Sequence, residues 1–490
     1  MVQAALMAFA EGQRVAARGH LQPGKQAEYG QFFTPVAAAH LIAAMVRLPS
    51  KGTFRVLDPG AGTGILSAAL VARLLHECPE VAVHITAIER DATVLPFLAA
   101  TLHACELAGQ GQVSTRVVKA DFIIDQLGLD ARLDFDTEFD LVIQNPPYGK
   151  LGINSESRRA LRAAGLDAPN LYAAFLRLSA PLLCDKGQLV AITPRSFFNG
   201  PYFSEFRKAL LTQITLDKVH IFDSRSTVFA DTGVLQENII FSGIRNGERQ
   251  IVELSVSHDH TSQISTRRVP YSDVVNPSDQ NQFVRLTIDG ADTKCVESMM
   301  GQPCSLHDLG ITVSTGRVVD FRSRNALSES SVVGGFPLIY PGNLRAGKVE
   351  WPRAIRKPQW FVPTDPKDSS LLFPPGWYVV IKRFSAKEEK RRIVAATWTP
   401  DDHPGYVAFE NHLNVLHCAG SGLDEALARG LTSWLNSPEV DRFFRTFSGH
   451  TQVNATDLRA MRFPDAISLS EMASISPHRR FDAESKVIAA

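Results

Sequence analysis

Arg55-Val56-Leu57-Asp58-Pro59-Gly60-Ala61-Gly62-Thr63-Gly64 reads as a short strand running into a glycine-rich turn, with the helical pattern of Ile65 to Leu75 behind it. Glycines let a backbone turn tightly and approach a ligand with no Cβ in the way. Outward from this unit, short β-branched runs alternate with amphipathic patterns. The strands are expected over Phe54 to Leu57, Val83 to Ile88, Val113 to Val118, Leu141 to Ile143, Leu189 to Ile192, Val219 to Phe222 and Asn238 to Phe241. Helices are expected over Val94 to Leu107, Leu171 to Leu183 and Phe203 to Leu211, where apolar residues recur at spacings of three and four. This alternation predicts an α/β domain, Rossmann-like, on a mostly parallel seven-stranded sheet.

That domain is placed at 1–250, with an N-terminal helical segment over 1–27. Beyond Gly243 the text turns polar and rich in Ser, Asp and Gln, so 251–290 is expected to be a connecting region, with Asn276 to Gln282 read as turns. Residues 291–490 carry Pro and Gly punctuation, strand patterns at Trp377 to Ile381 and Ile393 to Thr397, and late helices around Leu423 to Leu435 and Val440 to Phe447. They form a second, α+β domain.

Composition narrows little. Lys+Arg and Asp+Glu both total 51, so attraction to a polyanion must come from local clustering and not from the field of the whole molecule. The six cysteines lack metal-like spacing, which points to a reducing compartment and no metal. No run approaches the ~20 apolar residues of a membrane span, and no secretory leader is legible, so a cytoplasmic location is expected.

Two ligand classes could use the glycine turn. A dinucleotide fingerprint starting at Gly60 requires a third glycine where Ile65 stands. The G-x-G-x-G form headed by Asp58 instead resembles the cofactor loop of S-adenosylmethionine-dependent methyltransferases. Glu89, closing the second strand, is placed to accept hydrogen bonds from ribose hydroxyls.

The fourth strand ends Gln144-Asn145-Pro146-Pro147-Tyr148-Gly149. The lone pair of the adenine N6 amine is delocalised into the ring and is a poor nucleophile. The Asn145 side-chain oxygen and the Pro146 carbonyl can each accept one amine hydrogen and localise that pair. Pro146 and Pro147 remove backbone donors and stiffen the segment, and Tyr148 offers a ring for the base. A paired adenine must be turned out of its duplex to arrive there, at a cost of about a few kcal/mol; stacking returns roughly 1–3 kcal/mol. The chemistry requires no metal or covalent enzyme nucleophile.

These motifs in this order resemble the adenine-N6 DNA methyltransferases of restriction-modification systems, of the TaqI-like kind with a C-terminal target-recognition domain. The resemblance implies S-adenosylmethionine as cofactor, bound by Asp58, Gly60, Gly62, Gly64, Glu89 and Asn145, with Asp121 taking the cofactor's adenine amine and Phe122 packing on that base. A plain reading of Asp121 is a cap on the next turn. Gly30-Gln31-Phe32-Phe33-Thr34-Pro35 is similar to the segment that precedes the cofactor loop, so Thr34 and Pro35 are implied at the cofactor's methionine end. Leu171 to Leu176 is similar to the helix after the tetrapeptide, and Phe229 is implied as a second aromatic against the target adenine, with plain core as its alternative.

Double-stranded DNA is then the expected substrate, with a companion restriction endonuclease encoded separately. Transfer to RNA or to a protein glutamine, and a non-catalytic DNA-binding subunit that keeps the fold, are the alternatives. The C-terminal half has basic text with interleaved aromatics, from Lys348 to Trp360 and again from Lys382 and Arg383 to Arg392. Its late loop contains His450, Thr451, Gln452 and Asn454. Lys382, Arg383 and these four are the candidate DNA contacts, although Asn454 or Thr456 could simply cap a helix. Cys304 and Glu410 echo the nucleophile and acid of cytosine-C5 enzymes, but both lie beyond the catalytic domain and are read as incidental.

Overall fold

In the computed structural model the described residues are 2–21, 32–127, 133, 135, 138–222, 237–259, 262–385, 389–401, 403–448 and 451–473. They divide into two units, Met1–Ile288 and Asp289–Ala490.

The first unit is built on a nine-stranded sheet. Its strands are β1 (Thr53–Pro59), β2 (Ala82–Glu89), β3 (Val113–Lys119), β4 (Phe139–Gln144), β5 (Leu183–Pro194), β6 (Ile214–Phe222), β7 (Asn238–Arg245), β8 (Ile251–Ser257) and β9 (Ser265–Pro270). The spatial order is β3-β2-β1-β4-β5-β7-β6-β8-β9. β1 to β5 run parallel, and β7 is antiparallel to both β5 and β6. All seven expected strands are present. Alternating residues of the central strands serve opposite faces: Val56, Leu141, Ile143, Val190 and Ile192 pack into one core, while Leu57, Val142, Leu189 and Ala191 pack into the other. Burial on both faces is why these strands read as near-continuous apolar runs.

The expected connecting region over 251–290 is corrected. β8 and β9 extend the sheet, β8 parallel to β6 and β9 antiparallel to β8, and the unit closes at Ile288. Val252, Leu254 and Val269 turn into the core while much of β9 lies exposed. An edge strand buries one face at most, so half its residues are polar and the run resembles loop text; the period-two placement of Val252 and Leu254 was the available signal. The turn reading of Asn276 to Gln282 agrees with the Asx-type bonds that Asn276 and Asp279 accept. The fully buried Arg207 guanidinium donates to the carbonyls of Asn281, Gln282, Phe197 and Gly200, tying that turn to the core.

Four helices of this unit matter for the site or its support: α1 (Val2–His20), α2 (Val36–Ala44), α3 (Ile65–Glu77) and α4 (Leu95–Gly109). α2 is held by the buried residues Ala38, Ala39, Ile42 and Ala43. α1 is the helical part of the expected 1–27 segment; residues 22–31 lie outside the described residues.

The second unit is α+β. One sheet orders its strands 312–315, 413–417, 378–382, 395–398, 348–349 and 344–345. A smaller one orders 327–328, 360–361, 336–339 and 408–409. The helices Glu425–Leu435 and Pro438–Phe447 fall where their patterns predict them, each opened by a side-chain cap, Asp424 and Ser437 respectively. No helix among the described residues is long and apolar enough to cross a membrane.

Candidate active site and cofactor cleft

Because β1, β2 and β4 run parallel and adjacent, their carboxyl ends bring the glycine turn, Glu89 and Asn145 to one edge of the sheet. A cleft of about 700 Å³, open solvent included, lies there, and Phe32, Phe33, Gly60, Gly62, Glu89, Arg90, Asp121, Phe122, Asn145, Pro147 and Phe175 are among its lining residues.

The turn is folded over the end of β2: the backbone N–H groups of Gly60 and Ala61 both donate to the Ile88 carbonyl, at 2.8 and 2.9 Å. Gly60 and Gly62 have φ of +72° and +55°, and a Cβ would stand 3.2 Å from the Phe175 ring at Gly60 and 3.2 Å from the Phe33 ring at Gly62. The cradle is therefore shaped by absent side chains. Phe122 packs on Phe175 with ring centroids 5.0 Å apart, giving the cleft an aromatic wall.

Glu89 lines the cleft and is almost fully buried. One carboxylate oxygen accepts from Gly62 N–H at 3.0 Å and the other from Asp91 N–H at 2.8 Å. Burial pushes its pKa up, against those hydrogen bonds. The Arg90 backbone N–H also donates to this carboxylate, which with its several lone pairs can still accept from a hydroxyl donor. Asp121 also lines the cleft, but its oxygens are engaged: Oδ1 accepts from the Ile123 and Ile124 backbone, and Oδ2 from Arg90 at 2.8 Å. These bonds make Asp121 a cap on the following turn, at a position that also lines the cleft.

Asp58, Gly64, Thr34 and Pro35 are not among the lining residues. Asp58 sits beneath the turn, buried, accepting from Ser67 Oγ at 2.7 Å. Its other oxygen, Oδ1, has no hydrogen-bond partner. Desolvation, opposed by the Ser67 hydroxyl, pushes the carboxyl up to about 7. From about pH 4 to about 7 the folded chain therefore keeps a proton that the unfolded chain has released, and this contribution to stability falls as pH rises through that window. Urea midpoints should show a steeper decline in the wild type than in Asp58→Asn, where the buried Glu89 still contributes one of the same sign. Coinciding pH profiles would mean that Asp58 is ionised in the fold.

At the end of β4, Asn145 Nδ2 donates to the Phe32 carbonyl at 2.8 Å and to Thr34 Oγ1 at 3.0 Å. A carbonyl accepts only, so the amide nitrogen must face Phe32; Oδ1 meets no donor among the described residues, and Asn145 lines the cleft. Among the described residues no donor meets the Pro146 carbonyl. Tyr148 packs against both faces' cores, with Phe32 at 6.1 Å and Tyr172 at 6.3 Å between ring centroids. Its hydroxyl donates to the Ile192 carbonyl at 3.5 Å, and burial raises its pKa far above the usual phenol range. Phe229 lies outside the described residues, as do Gly30 and Gln31.

Sequence reasoning missed Phe33 and Ser157 as lining residues and gave Phe175 no role in the cleft. The glycines were the one available hint, since a residue without Cβ implies a close neighbour but does not name it.

In the second unit, Lys382, Arg383, Thr451, Gln452 and Asn454 are brought together across some seventy residues of chain. Phe384 bridges Gln452, Ser385 N–H donates to the Thr451 carbonyl and Val453 N–H to the Arg383 carbonyl. Lys382 pairs with Glu389 at 2.8 Å and Arg383 donates to the Asn411 carbonyl at 2.8 Å. Asn454 caps helix Ala455–Arg459 through a capping box with Asp457, and His450 lies outside the described residues. Of the two decoys, Cys304 pairs its backbone with Phe463, and Glu410 holds His412.

The first seven strands of this nine-stranded order, with the glycine turn, the buried acid Glu89 and the Asn145 amide at one edge, form the fold of an S-adenosylmethionine-dependent methyltransferase. The family model for the Eco57I restriction-modification methylase matches residues 113–229. The type II methyltransferase M.BsuBI of Bacillus subtilis is 40% identical over 447 residues, 90% of this chain and 88% of that protein. M.PstI of Providencia stuartii is 37% identical over 472 residues, 94% and 92% of the two chains. The solved DrdV–DNA complex is similar over 96% of this chain and 59% of that one, at 14% identity and a TM-score of 0.49. The chain belongs to the type II methyltransferase family of restriction-modification systems and is a DNA methyltransferase.

Proposed function

We propose that this DNA methyltransferase methylates N6 of adenine at a specific sequence in double-stranded DNA. The supporting observation is the orientation of Asn145: its nitrogen is committed to Phe32 and Thr34, so the group offered on the cleft side is an acceptor, as an amino group requires. S-adenosylmethionine supplies the methyl group on a sulfonium centre. Gly60 and Gly62 admit it to the turn, Glu89 holds its ribose, and Phe122 with Phe175 flanks its base, with Asp121 and Arg90 at the base's polar edge. Asn145 Oδ1 and the Pro146 carbonyl take the two hydrogens of the target amine. The flipped base is held against Tyr148 and Phe229.

Residues 291–490 serve as the target-recognition domain in this reading, and a separately encoded endonuclease is the companion, both enzymes acting on DNA in the cytoplasm. Thr451, Phe384 and His412 are exposed on adjoining segments, with the Phe384 and His412 rings 5.0 Å apart and Arg383 alongside. Phe384→Ala should weaken duplex binding by about tenfold, a stacking-sized effect, and leave cofactor affinity unchanged. Equal duplex binding by the variant would remove this edge from the interface.

The deciding assay incubates the full chain with methyl-labelled cofactor and plasmid DNA, then digests the DNA to nucleosides. Label in N6-methyladenine is expected. Label in a methylcytosine, or only in RNA or protein, overturns the proposal.

A further inference from the structure

We infer that Thr34 is a positioning residue for methyl transfer: with the Phe32 carbonyl it locks the Asn145 amide so that Oδ1 is turned to the target amine. The inference rests on the reading of Asn145 given above and assigns Thr34 a different task from the cofactor contact that its sequence context implies.

An amide side chain has chemically distinct ends, two N–H donors on one and a pure acceptor on the other. The Phe32 carbonyl at 2.8 Å and Thr34 Oγ1 at 3.0 Å occupy both hydrogens of Nδ2. Turning the amide over would set Oδ1 against the Phe32 carbonyl oxygen, two acceptors facing each other. Either partner alone would leave one N–H of Asn145 without its protein acceptor. Thr34 is 3% exposed, so water has little access to take its place.

The support behind Thr34 is stiff. Pro35 stands at the N-cap of α2, whose buried residues anchor it in the core. Phe32 and Phe33 line the cofactor cleft, while the Phe32 carbonyl and the Thr34 hydroxyl address Asn145. One short segment thus touches the cofactor side of the cleft and the amine-binding side at once. Thr34 and Asn145 are 111 residues apart in the chain, so no local motif joins them.

The test compares Thr34→Val, which keeps the volume and removes the oxygen, with Thr34→Ser, which keeps the oxygen. Thr34→Val is expected to lower kcat by about tenfold, with KM for DNA and cofactor affinity by calorimetry close to wild type and Tm lower by about a few degrees for the unpaired amide N–H. Thr34→Ser should stay within about threefold of wild type. Adding Thr34→Val to Asn145→Ala should cost nothing more, because the two act as one unit.

Unchanged kcat in Thr34→Val overturns the inference, as does equal loss in Val and Ser variants, which would indicate packing alone. A loss confined to cofactor affinity also overturns it and returns Thr34 to the cofactor wall. Should the valine variant not fold, Thr34→Ala against Thr34→Ser makes the same comparison. Activity surviving in Asn145→Ala alone strikes the reading of Asn145 itself, and the role of Thr34 falls with it; an inactive Asn145→Ala beside a fully active Thr34→Val strikes only the role of Thr34.

Discussion

Replacing Asn145 by alanine is expected to lower methyl transfer to DNA by roughly 10²- to 10³-fold, the scale seen when one oriented polar group is removed from a reacting centre. Cofactor affinity should change little, because the cradle of Gly60 and Gly62, the acid Glu89 and the wall of Phe122 and Phe175 remain. Two physical effects combine in the loss. Without Oδ1 one amine hydrogen has no acceptor, so the nitrogen lone pair stays conjugated with the ring. The base also loses an anchor that sets its distance and angle, and a misplaced reactant forfeits the benefit of proximity. The variant should fold, since Asn145 lies beyond the end of β4 and carries none of its ladder bonds. Single-turnover rates with saturating cofactor, beside calorimetric titration of the same preparation, separate the two quantities. A variant that methylates at the wild-type rate would mean that the amide is a bystander.

The second large effect is expected from Gly62→Val, which should weaken S-adenosylmethionine binding by at least about 100-fold, or about 2.7 kcal/mol. At φ +55° a β-branched side chain is a conformational outlier. A Cβ there would also stand 3.2 and 3.3 Å from two atoms of the Phe33 ring, which lines the cleft, so relief of the contact moves the cleft wall. Displacing Gly62 further breaks the bond from its N–H to Glu89, the acid proposed above to hold the ribose. The sheet beneath is untouched. Gly52→Ala is the matched control: its φ is +90° with nothing within 4 Å of the added Cβ. It bears the backbone strain of a left-handed position without altering the cleft. Calorimetric titration with cofactor measures both, and near wild-type affinity in Gly62→Val would show that the turn is not the cradle.

Much of the site was legible because its chemistry is local. A glycine turn after a strand, an acid at the end of the next strand and Asn-Pro-Pro-Tyr at the end of the fourth each announce themselves over a few residues, and parallel strands force such ends onto one edge. Asp58 shows the limit of that reasoning: it heads the glycine motif, yet in the fold it lies under the turn, bonded to Ser67 and away from the cleft lining. Asp121 shows another, since a carboxylate at the right strand end can be engaged by its own helix and by Arg90 before any ligand is considered.

What the amino-acid order determined by itself was the α/β plan of the first seven strands, the second α+β unit and the placing of Asn-Pro-Pro-Tyr at the end of the fourth strand, because hydrophobic period and turn chemistry are properties of neighbouring residues. Tertiary structure alone decided that β8 and β9 belong to the sheet, that Phe33 and Phe175 shape the cradle, and that Thr34 and the Phe32 carbonyl set the direction of the Asn145 amide. Those outcomes depend on contacts between distant segments, and an amide's orientation follows from which acceptor it meets in space, which no local pattern encodes.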